Sequence, residues 1–117
     1  MRGTSCLDRR FRPMAESLLH IAQRYGPYRL TSGCRTWQEQ TRLYQDYLEG
    51  RNAFPVAPPG HSAHQKGLAI DIARGDMDPY RDLFLHVLGA AWAAADPSLR
   101  WSATDPIHFE WNPNQLV

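Results

Sequence analysis

One stretch constrains this chain more than any other: Pro59-Gly60-His61-Ser62-Ala63-His64-Gln65-Lys66-Gly67-Leu68-Ala69-Ile70-Asp71. Its first half is turn-forming and cannot continue regular structure. Its second half alternates with period two, so that Leu68, Ile70 and Ile72 share one face of a strand and Gly67, Ala69 and Asp71 the other. A strand that only needed packing would rarely put an aspartate on a face cleared by Gly and Ala. That face implies a close approach to the backbone, and a metal ion with its substrate is a physical candidate. The partner half of such a site is expected near the C-terminus, in Asp105-Pro106-Ile107-His108-Phe109-Glu110-Trp111.

The remaining elements are arranged around that strand. Pro13 to Tyr25 predicts a helix with Met14, Leu18, Ile21, Ala22 and Tyr25 on its apolar stripe, stopped by Gly26-Pro27. Tyr28 to Ser32 predicts a short strand. Thr36 and Glu39 form a capping box for a second helix, whose stripe is Trp37, Gln40, Leu43, Tyr44, Tyr47 and Leu48, with Trp37, Tyr44 and Tyr47 expected in the core. Arg51 to Ala63 is expected as loop, and Gly67 to Ala73 as the central strand. Asp78-Pro79 predicts the start of a third helix running to Ala95, with Tyr80, Leu83, Phe84, Val87, Leu88, Ala91 and Trp92 facing inward. Leu99 to Ala103 and Ile107 to Trp111 read as a final hairpin, with Trp101 and Trp111 as packing residues. The expected class is α+β: about three helices on a small, mostly antiparallel sheet, with the site on the open sheet face.

Bulk properties narrow the function. A chain of 117 residues with 43% apolar and 21% charged residues suits one globular domain, 1–117, with a polar N-terminal segment over residues 1–12. A formal net charge of +1 argues against nucleic-acid or anionic-membrane binding. No apolar run approaches the roughly 20 residues of a membrane span, and Met1 to Arg12 lacks the apolar core of a secretory signal. The expectation is a monomer made in the cytoplasm, delivered by other factors if it acts outside. Cys6 and Cys34 are too few to make a disulfide framework, so reduced thiols are expected.

His64, Asp71 and His108 supply two imidazoles and a carboxylate, a set suited to Zn2+ with a fourth position left open. Alternation along 107–111 puts Ile107, Phe109 and Trp111 on one face and His108 and Glu110 on the other. Glu110 is either a group that orients a ligand imidazole or an ordinary solvated carboxylate. His61 follows Pro-Gly in a loop with no helix to fix it beside His64, and is not expected as a ligand. His20 and His86 are read as structural.

Ser62-x-His64, then Gly67-x-Ala69-x-Asp71, then Asp105-x-x-His108 resembles the zinc peptidases of the D-alanyl-D-alanine carboxypeptidase (VanY-type) superfamily, which also holds the L-alanyl-D-glutamate endopeptidases of phage lysins. Ser32-Gly33-Cys34-Arg35-Thr36, with Gln40 downstream, is similar to the group's Ser-Gly-Tyr-Arg-Thr block, although Cys34 stands where an aromatic is usual. The resemblance runs from Tyr28 to Trp111. It implies His64, Asp71 and His108 as zinc ligands, Asp105 as general base, Arg35 as the group that binds the scissile carbonyl, and Ser62 and Gln40 as substrate contacts. The implied substrates are peptidoglycan stem peptides. The bond stays open, since Asp105 and His-Phe-Glu resemble the endopeptidases and the Pro59 to Gly67 block resembles the carboxypeptidases. The absence of a recognisable signal fits a phage-encoded lysin. A metal-bearing but non-catalytic wall-binding or virion assembly module is the alternative.

Overall fold

The computed structural model describes residues 3–53 and 55–114; two positions of the expected N-terminal segment and one of the 51–63 loop lie outside that set. The element order is α1 (Arg12–Gln23), β1 (Tyr28–Ser32), α2 (Trp37–Leu48), β2 (Ala69–Arg74), a single 3-10 turn (Pro79–Arg81), α3 (Leu83–Ala95), β3 (Leu99–Arg100) and β4 (His108–Trp111). The strands form a four-stranded sheet in the order β1-β2-β4-β3, antiparallel at every pairing. The α+β class is as expected.

Period-two alternation in β2 does what the sequence implied. Ile70 and Ile72 are fully buried in one core with Phe109 of β4, Ala15, Leu18 and Ala22 of α1, and Leu85 of α3. Each large apolar side chain so buried contributes roughly 1.5–3 kcal/mol. Helix α1 begins with Pro at its first turn, where a missing N–H costs nothing. Its buried stripe is Ala15, Leu18 and Ala22, so Ile21 and Tyr25, expected inside, are exposed.

Three expectations fail for identifiable reasons. The third helix does not start at Asp78. Asp82 takes an extended conformation, caps a fresh helix by accepting from the Leu85 N–H at 3.1 Å, and leaves Pro79–Arg81 as an isolated turn. Tyr80, Leu83 and Val87 are therefore exposed, and Leu85 and Gly89 are the buried positions of α3. The capping box of α2 forms, with the Glu39 N–H donating to Thr36 Oγ1 and the Thr36 N–H to Glu39 Oε1, but the helix stands off the core. Gln40 is its only buried residue, and Trp37 is 60% exposed.

The third correction concerns the N-terminus. Leu7 and Phe11 belong to the core, and Cys6 is joined to Cys34 in a disulfide across 28 residues. The polar look of the segment concealed two apolar anchors. The segment also explains the glycines flanking the central loop. A Cβ on Gly67, whose φ is +71°, would lie 2.8 Å from the Asp8 nitrogen, and one on Gly33 would lie 2.6 Å from the Gly3 carbonyl oxygen. Gly67 is thus cleared for the N-terminal strap, which donates from Asp8 N–H to the Gly67 carbonyl at 3.0 Å, and not for a ligand as its strand face suggested. Among the described residues no helix is long and apolar enough to cross a membrane.

Candidate metal centre and active-site cleft

Strand register builds the centre. Asp71 of β2 pairs directly with His108 of β4, and such cross-strand partners share one face at a Cβ separation of about 5 Å. Ile70 and Phe109, one residue away on each strand, point into the core, so Asp71 and His108 point out of it. His64 comes from the turn that precedes β2. The ligand atoms of His64, Asp71 and His108 all lie within 4.8 Å of one another, and no other such group of His, Cys, Asp or Glu occurs among the described residues.

The hydrogen bonds around this group fix which nitrogens face inward. His64 Nδ1 lies 2.7 Å from the Gly33 carbonyl oxygen, which can only accept, so Nδ1 carries the proton. Its Nε2 is then the nitrogen that faces Asp71 Oδ1, 3.1 Å away. His108 Nε2 lies 2.8 Å from Glu110 Oε1 and its Nδ1 lies 3.1 Å from the same Asp71 Oδ1. When both rings are neutral with their outer nitrogens protonated, the inner nitrogens offer lone pairs beside the Asp71 oxygen, a donor set that a shared cation accepts. Four-coordinate zinc holds its N and O ligands about 3.3 Å apart, given bonds of about 2.0 Å. The donor set fits that ion, and a backbone carbonyl and a carboxylate behind the imidazoles fit the usual outer partners of such ligands. Glu110 is thereby an orienting group for His108 and not an ordinary solvated carboxylate.

The charges are coupled in the same sense. Burial would raise the Asp71 carboxyl, but hydrogen bonds from His108 and His64 hold it well below the usual carboxylate range. Burial would depress His108, yet the Asp71 and Glu110 carboxylates push it up to about 9. Glu110 is lowered, chiefly by its bond to His108.

Around the centre runs a cleft of about 770 Å³, lined among others by Arg35, Gln40, Ser62, His64, Asp71, Asp105 and His108. All seven candidate residues from the sequence meet there. Arg35 sits between β1 and the cap of α2, where its N–H donates to the His64 carbonyl. Its guanidinium lies 3.6 Å from Asp71 Oδ2 and donates to Gln40 Oε1 at 3.2 Å. Gln40 Nε2 donates in turn to the Ala57 carbonyl at 2.8 Å, so this buried amide links Arg35 to the proline-rich loop. Ser62 Oγ accepts from the His64 N–H at 3.2 Å and shapes the turn that presents the ligand. Asp105 is exposed as a residue, but its carboxyl is partly desolvated at the cleft rim. That desolvation, followed by the charge of Asp71, raises its pKa. Pro106 lies in the turn that precedes β4, which begins only at His108. His61 lines the cleft but lies outside the ligand group. Tyr80 also lines it. The Asp78-Pro79 helix signal points it into the core; a second possible cap at Asp82, three residues before Leu85, is the sequence signal that points it out.

No curated protein matches the chain. Among solved structures it is similar to the vancomycin-resistance D,D-dipeptidase VanXYg in complex with a D-Ala-D-Ala phosphinate analog, at 25% identity and a TM-score of 0.66 over 90% of this chain and 50% of that one. It is also similar to the LdcB LD-carboxypeptidase, in a structure concerned with peptidoglycan recognition, at 26% identity and a TM-score of 0.67 over 90% of this chain and 65% of that one. A mutant of the VanB-type D,D-pentapeptidase VanY in complex with Zn(II) shares the fold at 23% identity and a TM-score of 0.55, over 90% of this chain and 72% of that one. The chain spans only half of the first relative's length and 65% of the second's. The VanY D-alanyl-D-alanine carboxypeptidase family matches residues 4–111, nearly the whole of the described structure, and the chain belongs to that family.

Proposed function

We propose that this chain is a zinc-dependent peptidase that trims peptidoglycan stem peptides, with His64, Asp71 and His108 holding the ion. The observation that carries this reading is the convergence of His64 Nε2 and His108 Nδ1 on Asp71 Oδ1, with each ring's other nitrogen already engaged by Gly33 or Glu110. Zinc, when bound, supplies a Lewis acid and a water acidified to a pKa of about 7.

The chain's own residues supply the rest. Asp105, its carboxyl raised toward the working range of a general base, takes a proton from the attacking water and returns it to the leaving amine. Arg35 donates to the oxyanion that develops on the scissile carbonyl, a contribution of roughly 3 kcal/mol for one donor. Gln40 holds that guanidinium in place, and Ser62 and Gln40 form the wall against which the peptide backbone lies. The family match and the carboxypeptidase and dipeptidase relatives support removal of a terminal D-alanine; a phage-type lysin would instead cut between L-alanine and D-glutamate. Arg35 and Asp105 lining one cleft with the ligand group favour hydrolysis over the rival reading of a non-catalytic wall-binding module, which needs neither. A disulfide persists in oxidising surroundings, which supports action outside the cytoplasm.

Mass spectrometry of defined muropeptides, incubated with the protein with and without a chelator, tests the proposal. Release of D-alanine that the chelator abolishes is the expected result, with both zinc content and release lost in Asp71→Ala. An Asp71→Ala protein that keeps full zinc and activity would sink the ligand assignment. Bound zinc with no cleavage of any stem peptide would favour the binding module.

A further inference from the structure

The base proposed above has an unusual support. Among the described residues the Asp105 carboxylate makes no side-chain hydrogen bond, so its place at the cleft rim depends on the turn that carries it. That turn is gripped on both sides of Asp105. The Tyr80 hydroxyl donates to the carbonyl of Thr104 at 3.0 Å, and Trp101 Nε1 donates to the carbonyl of Pro106 at 2.8 Å. The two carbonyls are those of the residues immediately before and after Asp105.

Both donors are themselves fixed. Tyr80 sits in the isolated 3-10 turn, where Asp78 Oδ1 accepts from its backbone N–H at 3.0 Å. Trp101 lies flat on Gly89 of α3, where a Cβ would come within 2.0 Å of the indole. The His86 ring meets it edge-on at 5.5 Å and its Nε2–H donates to the Pro79 carbonyl at 3.2 Å. The grip therefore runs from α3 through two aromatic donors to the turn. Inside the turn, the Asp105 N–H donates to the Ser102 carbonyl and the His108 N–H to the Asp105 carbonyl, both at 3.1 Å.

We infer that Tyr80 and Trp101 are positioning residues that hold the Asp105 turn over the metal centre, each through one backbone carbonyl. The inference rests on the peptidase reading and on Asp105 as its base. It accounts for a tyrosine that is 44% exposed at the cleft rim while its hydroxyl is spent on a backbone carbonyl. An exposed tyrosine needs no such partner, whereas a carboxylate that must meet a water within a few tenths of an ångström needs a turn that does not drift.

Tyr80→Phe is the direct test, because it deletes one hydroxyl at a partly exposed site and leaves the core untouched. On muropeptides that the wild type cleaves, kcat is expected to fall about tenfold with KM within about twofold, since the loss is in aligning the base and not in binding. Amide hydrogen exchange on the metal-free protein is expected to speed up at Asp105 and not in α1. Trp101→Phe keeps much of the packing on Gly89 while removing the second donor, and is expected to act in the same direction. Unchanged kcat and unchanged exchange at Asp105 in Tyr80→Phe would overturn the inference. So would a loss of zinc or of thermal stability that accounts for the fall in kcat, as that is a general structural role. A wild type that binds zinc and cleaves nothing would instead overturn the peptidase reading, and the base with it.

Discussion

Asp71 shows how much one buried side chain can organise. It is 8% exposed, and an unpaired carboxylate so placed would cost several kcal/mol. Two imidazoles and the Arg35 guanidinium compensate it, so its burial is tolerable only because the site is assembled around it. Glu110 matters one step further out. It sits 2.8 Å from His108 Nε2, and its negative charge makes the inner nitrogen a better donor to a cation. Glu110→Gln preserves an oxygen acceptor and removes the charge. Zinc affinity is expected to fall about 10- to 100-fold while the metal-free fold is kept; chelator competition measures the first and thermal unfolding the second. Glu110 could be placed on the His108 face from the sequence, but its contact with the imidazole could not, because alternation assigns faces and says nothing of side-chain reach.

At the scale of elements, the joint between β1 and α3 carries the clearest stability prediction. The Tyr28 hydroxyl donates to Asp82, with its oxygen 2.7 Å and 2.9 Å from the two carboxylate oxygens, and the same carboxylate caps α3 through the Leu85 N–H. One buried acid thus fastens the edge strand to the start of a helix. Tyr28→Phe leaves that acid short of a donor, and a loss of about 1–3 kcal/mol is expected in urea unfolding at neutral pH. Burial first, and then the hydrogen bond to Asp82, push the Tyr28 pKa up to about 12. Because the folded value lies above the unfolded value of about 10, the neutral phenol's contribution is whole below about pH 10 and is lost as pH rises toward 12. Wild type should show that alkaline loss and Tyr28→Phe should lack it, as pH-dependent unfolding midpoints would reveal. This joint is also where the sequence misled. Asp78-Pro79 and Asp82 are both competent starts, and the one that opens α3 is the one whose carboxylate accepts from Tyr28, 54 residues away in the chain.

At the scale of the whole molecule, the disulfide and the N-terminal strap tie the start of the chain to the segment between β1 and α2 and to the turn before β2. Cys34 is next to Gly33, whose carbonyl orients His64, and to Arg35. Reduction, or the double change Cys6→Ser and Cys34→Ser, is expected to cost roughly 3–4 kcal/mol from the restored freedom of a loop of this length. Urea unfolding with and without a thiol reductant checks this, and wild type and double variant should coincide once reductant is present. The sequence alone determined the α+β class, the strand faces of β2 and β4, the capped start of α2 and seven of the residues that meet in the cleft. Each of those follows from a local rule, the pleat's period of two or the needs of free amides at a helix end, or from the order of motifs along the chain. Only the tertiary structure decided that Leu7 and Phe11 are core, that Cys6 reaches Cys34, that α2 leaves Trp37 exposed, and that Asp71 faces His108 in register. These are contacts between segments far apart in the chain. Which of several equally competent local signals is used depends on what the fold brings alongside, and no residue's own preference records that.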